Sequence, residues 1–404
     1  MTKALHPKLR PVDPHAIVHG GRPSILLRDP LQLTDQAVVI PQQMAPLLVL
    51  CDGTRDIGGL CASFAIRYGM RIGTGVMEQL IVALDDALLL DNDRFTQAQE
   101  QVLAEYRQAA FRVPASAGRS YPIQADQTKD LLDGYLDGVE DDTTQIAEIR
   151  GLVCPHIDYA RGGPVYATVW KKASRAARGA DLVVILGTDH YGSNLLTLTR
   201  QNYRTPFGVL PTAQDVVDGL AEAIGAESAF DGELLHRCEH SVELAAVWLH
   251  HAREGEPCDT VPILCSGFGP FIRGEANPGQ EPVFETLRNA LEQATAGRRV
   301  LIIAAADLAH VGPAFGGTPQ GAMERAQVRA ADSENIDHMC DGDASGFFKA
   351  IQRQQDAHNV CGLPAIYAAL RLLAPVQGER AGYAQCPADD EDASLVSICG
   401  ILWG

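Results

Sequence analysis

The sequence predicts an α/β protein, a mostly parallel sheet flanked by helices, preceded by a small α+β domain. Three observations carry this. From residue 148 onward short apolar runs alternate with amphipathic stretches, the pattern of strand–helix–strand units. Three of those apolar runs stop at a histidine, as chemistry placed at strand ends requires. Before them, residues 21–90 hold two short strands and then three short helical stretches, which fits a winged-helix domain.

Taken in order, residues 1–20 read as an extended arm, because Pro7, Pro11 and Pro14 block helix. Residues 24–28 form a strand closed by Asp29-Pro30, and residues 38–40 a partner strand. A helix over 44–50 stops at Asp52-Gly53; Thr54 caps the next, 57–68, and Gly69 ends it. Val76, Leu80, Ile81, Leu84, Ala87 and Leu88 recur at three- and four-residue steps, one apolar face of a third helix. Residues 91–110, rich in Gln, Glu and Arg, read as a linking helix that closes a first domain of residues 1–110.

The second domain, residues 111–404, begins with a turn at 117–122 and a helix at 127–136. Strands are predicted at 150–154, 181–186, 261–265, 300–305 and 394–403, with helices at 165–177, 213–224, 242–251, 284–295, 344–354 and 363–373. Gly162-Gly163 reads as a turn that lets the first of these helices start close to His156. The run Asp389-Asp390-Glu391-Asp392 reads as a solvated loop.

Composition excludes several classes. A net charge of -18 gives no footprint for nucleic acid or an anionic membrane. The third helix, where a winged-helix DNA binder would need cations, carries Glu78, Asp85 and Asp86 and no Lys or Arg between 77 and 90. No apolar run approaches the roughly 20 residues of a membrane helix. The polar start has no signal-peptide core, so a cytoplasmic location is expected. The ten cysteines form no CxxC pair, which removes zinc ribbons and thioredoxin motifs and leaves buried thiols in a reducing compartment.

The chemistry gathers at Cys154-Pro155-His156, Thr188-Asp189-His190 and Asp307-Leu308-Ala309-His310. One histidine in an apolar setting is most often a satisfied core residue; three at equivalent strand ends point to a shared site. Imidazole suits iron, zinc and copper, and Asp307, Asp189 and Asp158 can each accept a ligand's second N–H. Glu239-His240-Ser241-Val242-Glu243 starts a helix, with His240 and Glu243 on one face and both glutamates suited to its dipole. Cys361 precedes another helix, where a thiolate is favoured.

These motifs, with Tyr203-Arg204-Thr205-Pro206 and Asn359-Val360-Cys361-Gly362, keep an order and spacing that resembles the Memo family, protein B of the AmmeMemoRadiSam group, over residues 111–404. That family is similar to the LigB-type subunits of class III extradiol dioxygenases. The first domain resembles PqqD-type peptide-recognition modules, on Leu50-Cys51-Asp52-Gly53-Thr54-Arg55 and residues 84–90. The resemblance implies a metal site of His156, His190 and Cys361, with Asp307 and His310 as the acid/base pair, His240 facing the cleft, and Asp158, Asp189, Glu239 and Glu243 as substrate-binding or supporting groups. It departs from the family at Ile157-Asp158, Asp189, Ala309 and Ser120.

The resemblance makes the expected protein a non-haem Fe(II) redox enzyme of dioxygenase-like type, with copper or zinc as other metals, working with radical SAM and AMMECR1-like proteins on a peptide or small molecule. A non-catalytic metal- and peptide-binding partner and a zinc-dependent hydrolase are the alternatives. The Ser-His-Asp hydrolase is set aside because no GxSxG elbow is present.

Overall fold

The proline-punctuated start folds further than an extended arm. In this computed structural model, which describes residues 6–140 and 144–404, β1 (Asp13–His19) pairs antiparallel with β2 (Arg22–Arg28) along its whole length. The two-residue turn Gly20-Gly21 has positive φ at both positions, which glycine adopts without steric cost and which matches strand twist. Pro14 is tolerated because β1 is an edge strand. Residues 1–5 of the expected arm lie outside the described residues.

On the other side of β2 lies β3 (Val38–Pro41). Then come α1 (Ala45–Leu50), α2 (Ile57–Tyr68), α3 (Thr74–Asp86) and α4 (Asp93–Gln108). Asp56, not Thr54, caps α2, accepting a hydrogen bond from the Gly59 N–H at 2.8 Å. α3 turns Met77, Leu80, Ile81 and Leu84 onto Leu27, Ile40, Leu47, Leu60 and Phe64, a core of its own. These elements form one of two units, Met1–Gln108; the other is Ala109–Gly404.

The second unit starts with α5 (Ala125–Asp137), β4 (Gly151–Cys154), α6 (Tyr159–Gly179) and β5 (Leu182–Thr188). Short strands β6 (Leu196–Leu198), β7 (Tyr203–Thr205) and β8 (Gly208–Leu210) lead to α7 (Gln214–Ile224) and α8 (Ala226–Phe230). Next are α9 (Ser241–Ala252), β9 (Asp259–Cys265), α10 (Gly269–Ile272), α11 (Pro282–Ala294), β10 (Val300–Ala305) and β11 (His310–Val311). The chain ends with α12 (Ala322–Cys340), α13 (Ala344–Arg353), α14 (Leu363–Leu373) and the antiparallel pair β12 (Gly378–Pro387) and β13 (Leu395–Trp403).

The sheet runs β11-β13-β4-β10-β5-β9-β6, with β12 beside β13. Its centre, β4-β10-β5-β9, is parallel, and the flanks are antiparallel. The sheet is therefore mixed, with a parallel heart. The central strands are apolar along most of their length because both faces are covered. One face packs against α7, α11, α13 and α14, the other against α5, α6 and α9.

Gly162 and Gly163 do not form a turn; both lie inside α6. A Cβ on Gly163 would enter the Tyr135 ring, and one on Gly162 would come within 2.6 Å of Ile157. Their role is close packing of α5 and the 157 loop on the first turns of α6.

Candidate metal centre

Because β4, β10 and β5 are parallel neighbours, the residues after their C-terminal ends meet at one edge of the sheet. Pro155-His156 follows β4, Asp189-His190 follows β5, and Asp307 follows β10, with His310 opening β11. Cys361 arrives from the turn before α14. Two backbone hydrogen bonds pin that turn to the 307–310 strap: Gly362 N–H to the Asp307 carbonyl at 3.1 Å, and His310 N–H to the His358 carbonyl at 2.8 Å. Any side chain at Gly362 would collide with the Asp307 carbonyl.

His156, His190 and Cys361 can each offer a ligand atom, all within 4.8 Å of one another. His156 Nε2 lies 3.4 Å from Cys361 Sγ, and the two imidazoles meet edge-on at 5.1 Å. Their orientation is fixed from behind. His156 Nδ1 is 3.0 Å from the Ala305 carbonyl and His190 Nδ1 is 2.9 Å from Glu239 Oε2. A carbonyl and a carboxylate can only accept, so each Nδ1 carries a proton and Nε2 is left as the ring's ligand atom, which a metal would take in place of the proton the thiolate and carboxylates hold there.

Glu239 does more than hold His190. Its other oxygen, Oε1, lies 3.1 Å from His240 Nδ1 and accepts from the His240 and Ser241 N–H groups. One buried carboxylate thus bridges two imidazoles that stack at 4.9 Å. His190, Glu239 and His240 also lie close enough to hold an ion, but Glu239 already engages both rings through their Nδ1 atoms, so the group reads as an orienting bridge.

Electrostatics follow the geometry. Burial would push the Cys361 thiol up, but the facing His310, His156 and His190 outweigh it and hold it well below the ordinary thiol value. Burial opposes ionisation of Glu239 too, and His190 and His240 overcome it, leaving it well below the usual carboxylate range. His156 is lowered by burial and raised more by Asp307 and Cys361, to about 9. The site favours a thiolate facing imidazoles, the donor set a soft or borderline metal takes.

Several expected partners are placed differently. Asp307 is buried and accepts from the His156 backbone N–H at 2.8 Å; it does not orient His310, whose Nδ1 instead faces the Leu308 carbonyl at 3.1 Å. Asp158 caps α6 through the Arg161 N–H and pairs with the Arg161 guanidinium. Asp189 closes its own turn by accepting from the Tyr191 and Gly192 N–H groups. The acceptors behind the imidazoles are Ala305, Leu308 and Glu239, not Asp158 and Asp189.

Glu243 is turned away from the cleft. It accepts from Arg112 Nη1 (2.5 Å), the Ala115 and Ser116 N–H groups (both 2.8 Å) and the Tyr121 hydroxyl (2.6 Å). Sequence reasoning missed Arg112; a cation in a stretch that must enter the core was the available signal.

Tyr203 of the Tyr-Arg-Thr-Pro motif donates its hydroxyl proton to His236 Nδ1 at 2.7 Å, while His236 Nε2 faces the Thr197 carbonyl at 2.9 Å. In the neutral ring Nε2 donates and Nδ1 accepts, so both nitrogens are satisfied without a charge. Burial pushes it down to about 4. The depressed native value means that its stabilising contribution is complete above the free value near 6.5 and is lost as pH falls toward 4, about 3 kcal/mol in all. Urea unfolding of a His236→Gln variant is expected to show a shallower acid limb between those two pH values. An unaltered limb would refute the assignment.

Residues 112–399 match the family described as "Memo-like protein". Similar relatives include a MEMO1 family protein of Methanosarcina mazei, 30% identical over 67% of this chain and 89% of its own. Another, from Aquifex aeolicus, is 27% identical over 72% and 73%, and one from Thermococcus onnurineus is 27% identical over 67% and 91%. With strand-end histidines, the thiolate loop and these matches together, the chain belongs to the Memo-like family.

Proposed function

We propose that the second unit is a metal-dependent redox enzyme of dioxygenase-like type, holding iron through His156 Nε2, His190 Nε2 and Cys361 Sγ. The observation that carries this is the convergence of three candidate ligand residues from three separate segments, with both Nδ1 atoms turned to acceptors so that Nε2 is the atom left for a metal. Bound Fe(II) with open positions would supply one-electron and O₂ chemistry. The chain's own residues then hold protons at the mouth. His310, steered by the Leu308 carbonyl and packed on Phe315, presents Nε2 as an acid/base. His240, steered by Glu239, presents a second Nε2 beside His190. Asp307 keeps the His156 backbone in place and adds negative charge beside its ring.

Protein prepared without oxygen is expected to contain about one iron per chain by elemental analysis, and His156→Ala, His190→Ala and Cys361→Ala variants to lose it. Equal metal in all four would refute the ligand set. Copper with O₂ uptake would keep the redox class and change the metal. Zinc without O₂ uptake would favour hydrolysis by a metal-activated water with His310 as base.

A second reading concerns the first unit, whose core of Leu27, Leu47, Leu60, Phe64 and Leu84 lies outside the matched residues 112–399. We infer that it recognises a peptide and brings it to a radical SAM or AMMECR1-like partner. Retention of such a partner by the full chain, with and without peptide, tests this; no retention under either condition would refute it.

A further inference from the structure

The Arg112 side chain is fully buried, at 0% exposure. Its Nη1 meets Glu243 Oε2, Nε donates to the His236 carbonyl at 2.5 Å, and Nη2 donates to the Glu239 carbonyl at 2.7 Å. Two of its three directions are therefore spent on the backbone on either side of Arg237 and Cys238, the connection that leads into α9. That connection is not regular helix: a 3-10 turn ends at Arg237, and α9 starts only at Ser241. Its carbonyls need donors from elsewhere.

We propose that Arg112 is a positioning residue of the metal centre, setting the backbone of Glu239 and through it the ring of His190. The inference rests on the metal assignment above. The contacts run from Arg112 Nη2 to the Glu239 carbonyl, from Glu239 Oε2 to His190 Nδ1, and across the ring to Nε2. The same Glu239 carries His240 on Oε1, so a shift of its backbone moves both imidazoles. A planar fork reaches two carbonyls and a carboxylate at once; a lysine ammonium at the end of a flexible stem does not. Glu243 is the other arm of the clamp. It ties Arg112 to Ala115, Ser116 and Tyr121, and its carboxylate takes its hydrogen bonds from these groups. The two arms can thus be cut separately.

The test uses metal-free full-length protein titrated with Co(II), read through the thiolate-to-cobalt absorption of Cys361, alongside urea unfolding of each variant. Glu243→Gln is expected to lose stability and still bind Co(II) within about threefold of wild type, whereas Arg112→Met and Arg112→Lys bind about tenfold more weakly. Their thiolate band is expected to shift, because the His190 ring is no longer held. Should Arg112→Met fail to fold, Arg112→Lys decides. Folded Arg112 variants with wild-type affinity would overturn the proposal and leave the metal assignment standing. So would a Glu243→Gln variant that weakens binding as much as they do. No cobalt–thiolate band in wild type would overturn the metal assignment itself, and this proposal with it.

Discussion

Replacing Glu243 by alanine is expected to destabilise the second unit by about 3–5 kcal/mol, the cost of leaving a buried charge without its partner. The carboxylate and the Arg112 guanidinium are both buried, at 1% and 0% side-chain exposure. Its removal orphans the guanidinium, the Ala115 and Ser116 N–H groups and the Tyr121 hydroxyl together, and the guanidinium, the Ser116 N–H and the Tyr121 hydroxyl are buried. Trp170, Trp248 and Trp403 are the chain's three tryptophans and all lie in the second unit. Their fluorescence during urea unfolding therefore reports this unit alone. A loss below about 1 kcal/mol would show the clamp to be solvated rather than closed.

The second large effect is expected at Glu239. Alanine there removes the one acceptor shared by His190 and His240. Metal affinity is expected to fall about 10- to 100-fold, or roughly 1.4–2.7 kcal/mol, the usual cost of losing a ligand's orienting partner. Glutamine keeps one acceptor oxygen and turns an amide toward the other ring, so Glu239→Gln should lie between alanine and wild type. Competition with a chelator of known affinity, under anaerobic conditions, measures both. Wild-type affinity in the alanine variant would mean that His190 is held by packing and not by the carboxylate.

How far the sequence could be read depends on the physical origin of each feature. The central strands were legible because burial on both faces leaves continuous apolar runs, and β10 falls at the expected 300–305. The edges were not. β6 and β11 have three and two residues, too few for any period. β12 is half-buried with small and polar residues, and α12 is polar along most of its length, burying Val328, Asp332, Asn335, Ile336 and Met339.

At the site, histidines at strand ends are visible in a sequence, whereas the carbonyls of Ala305 and Leu308 that steer them carry no residue signature. Asp158 and Asp189 offered themselves as acceptors on proximity in sequence, but a short acidic side chain bonds first to its own backbone neighbours. Gly162-Gly163 looked like a turn because two glycines usually mark one; the tight contact of α6 with Tyr135 exists only in three dimensions.

His156 and Cys361 are 205 residues apart, and they meet only after the strands between them have paired. Closing so long a loop costs entropy that a metal bound to the unfolded chain would have to repay alone. The expected sequence of events is therefore fold first, load second, the reverse of a small zinc domain that a metal assembles. On the proposed ligand set, such a chain would persist empty, exchange metal without unfolding, and respond to how much metal its surroundings supply.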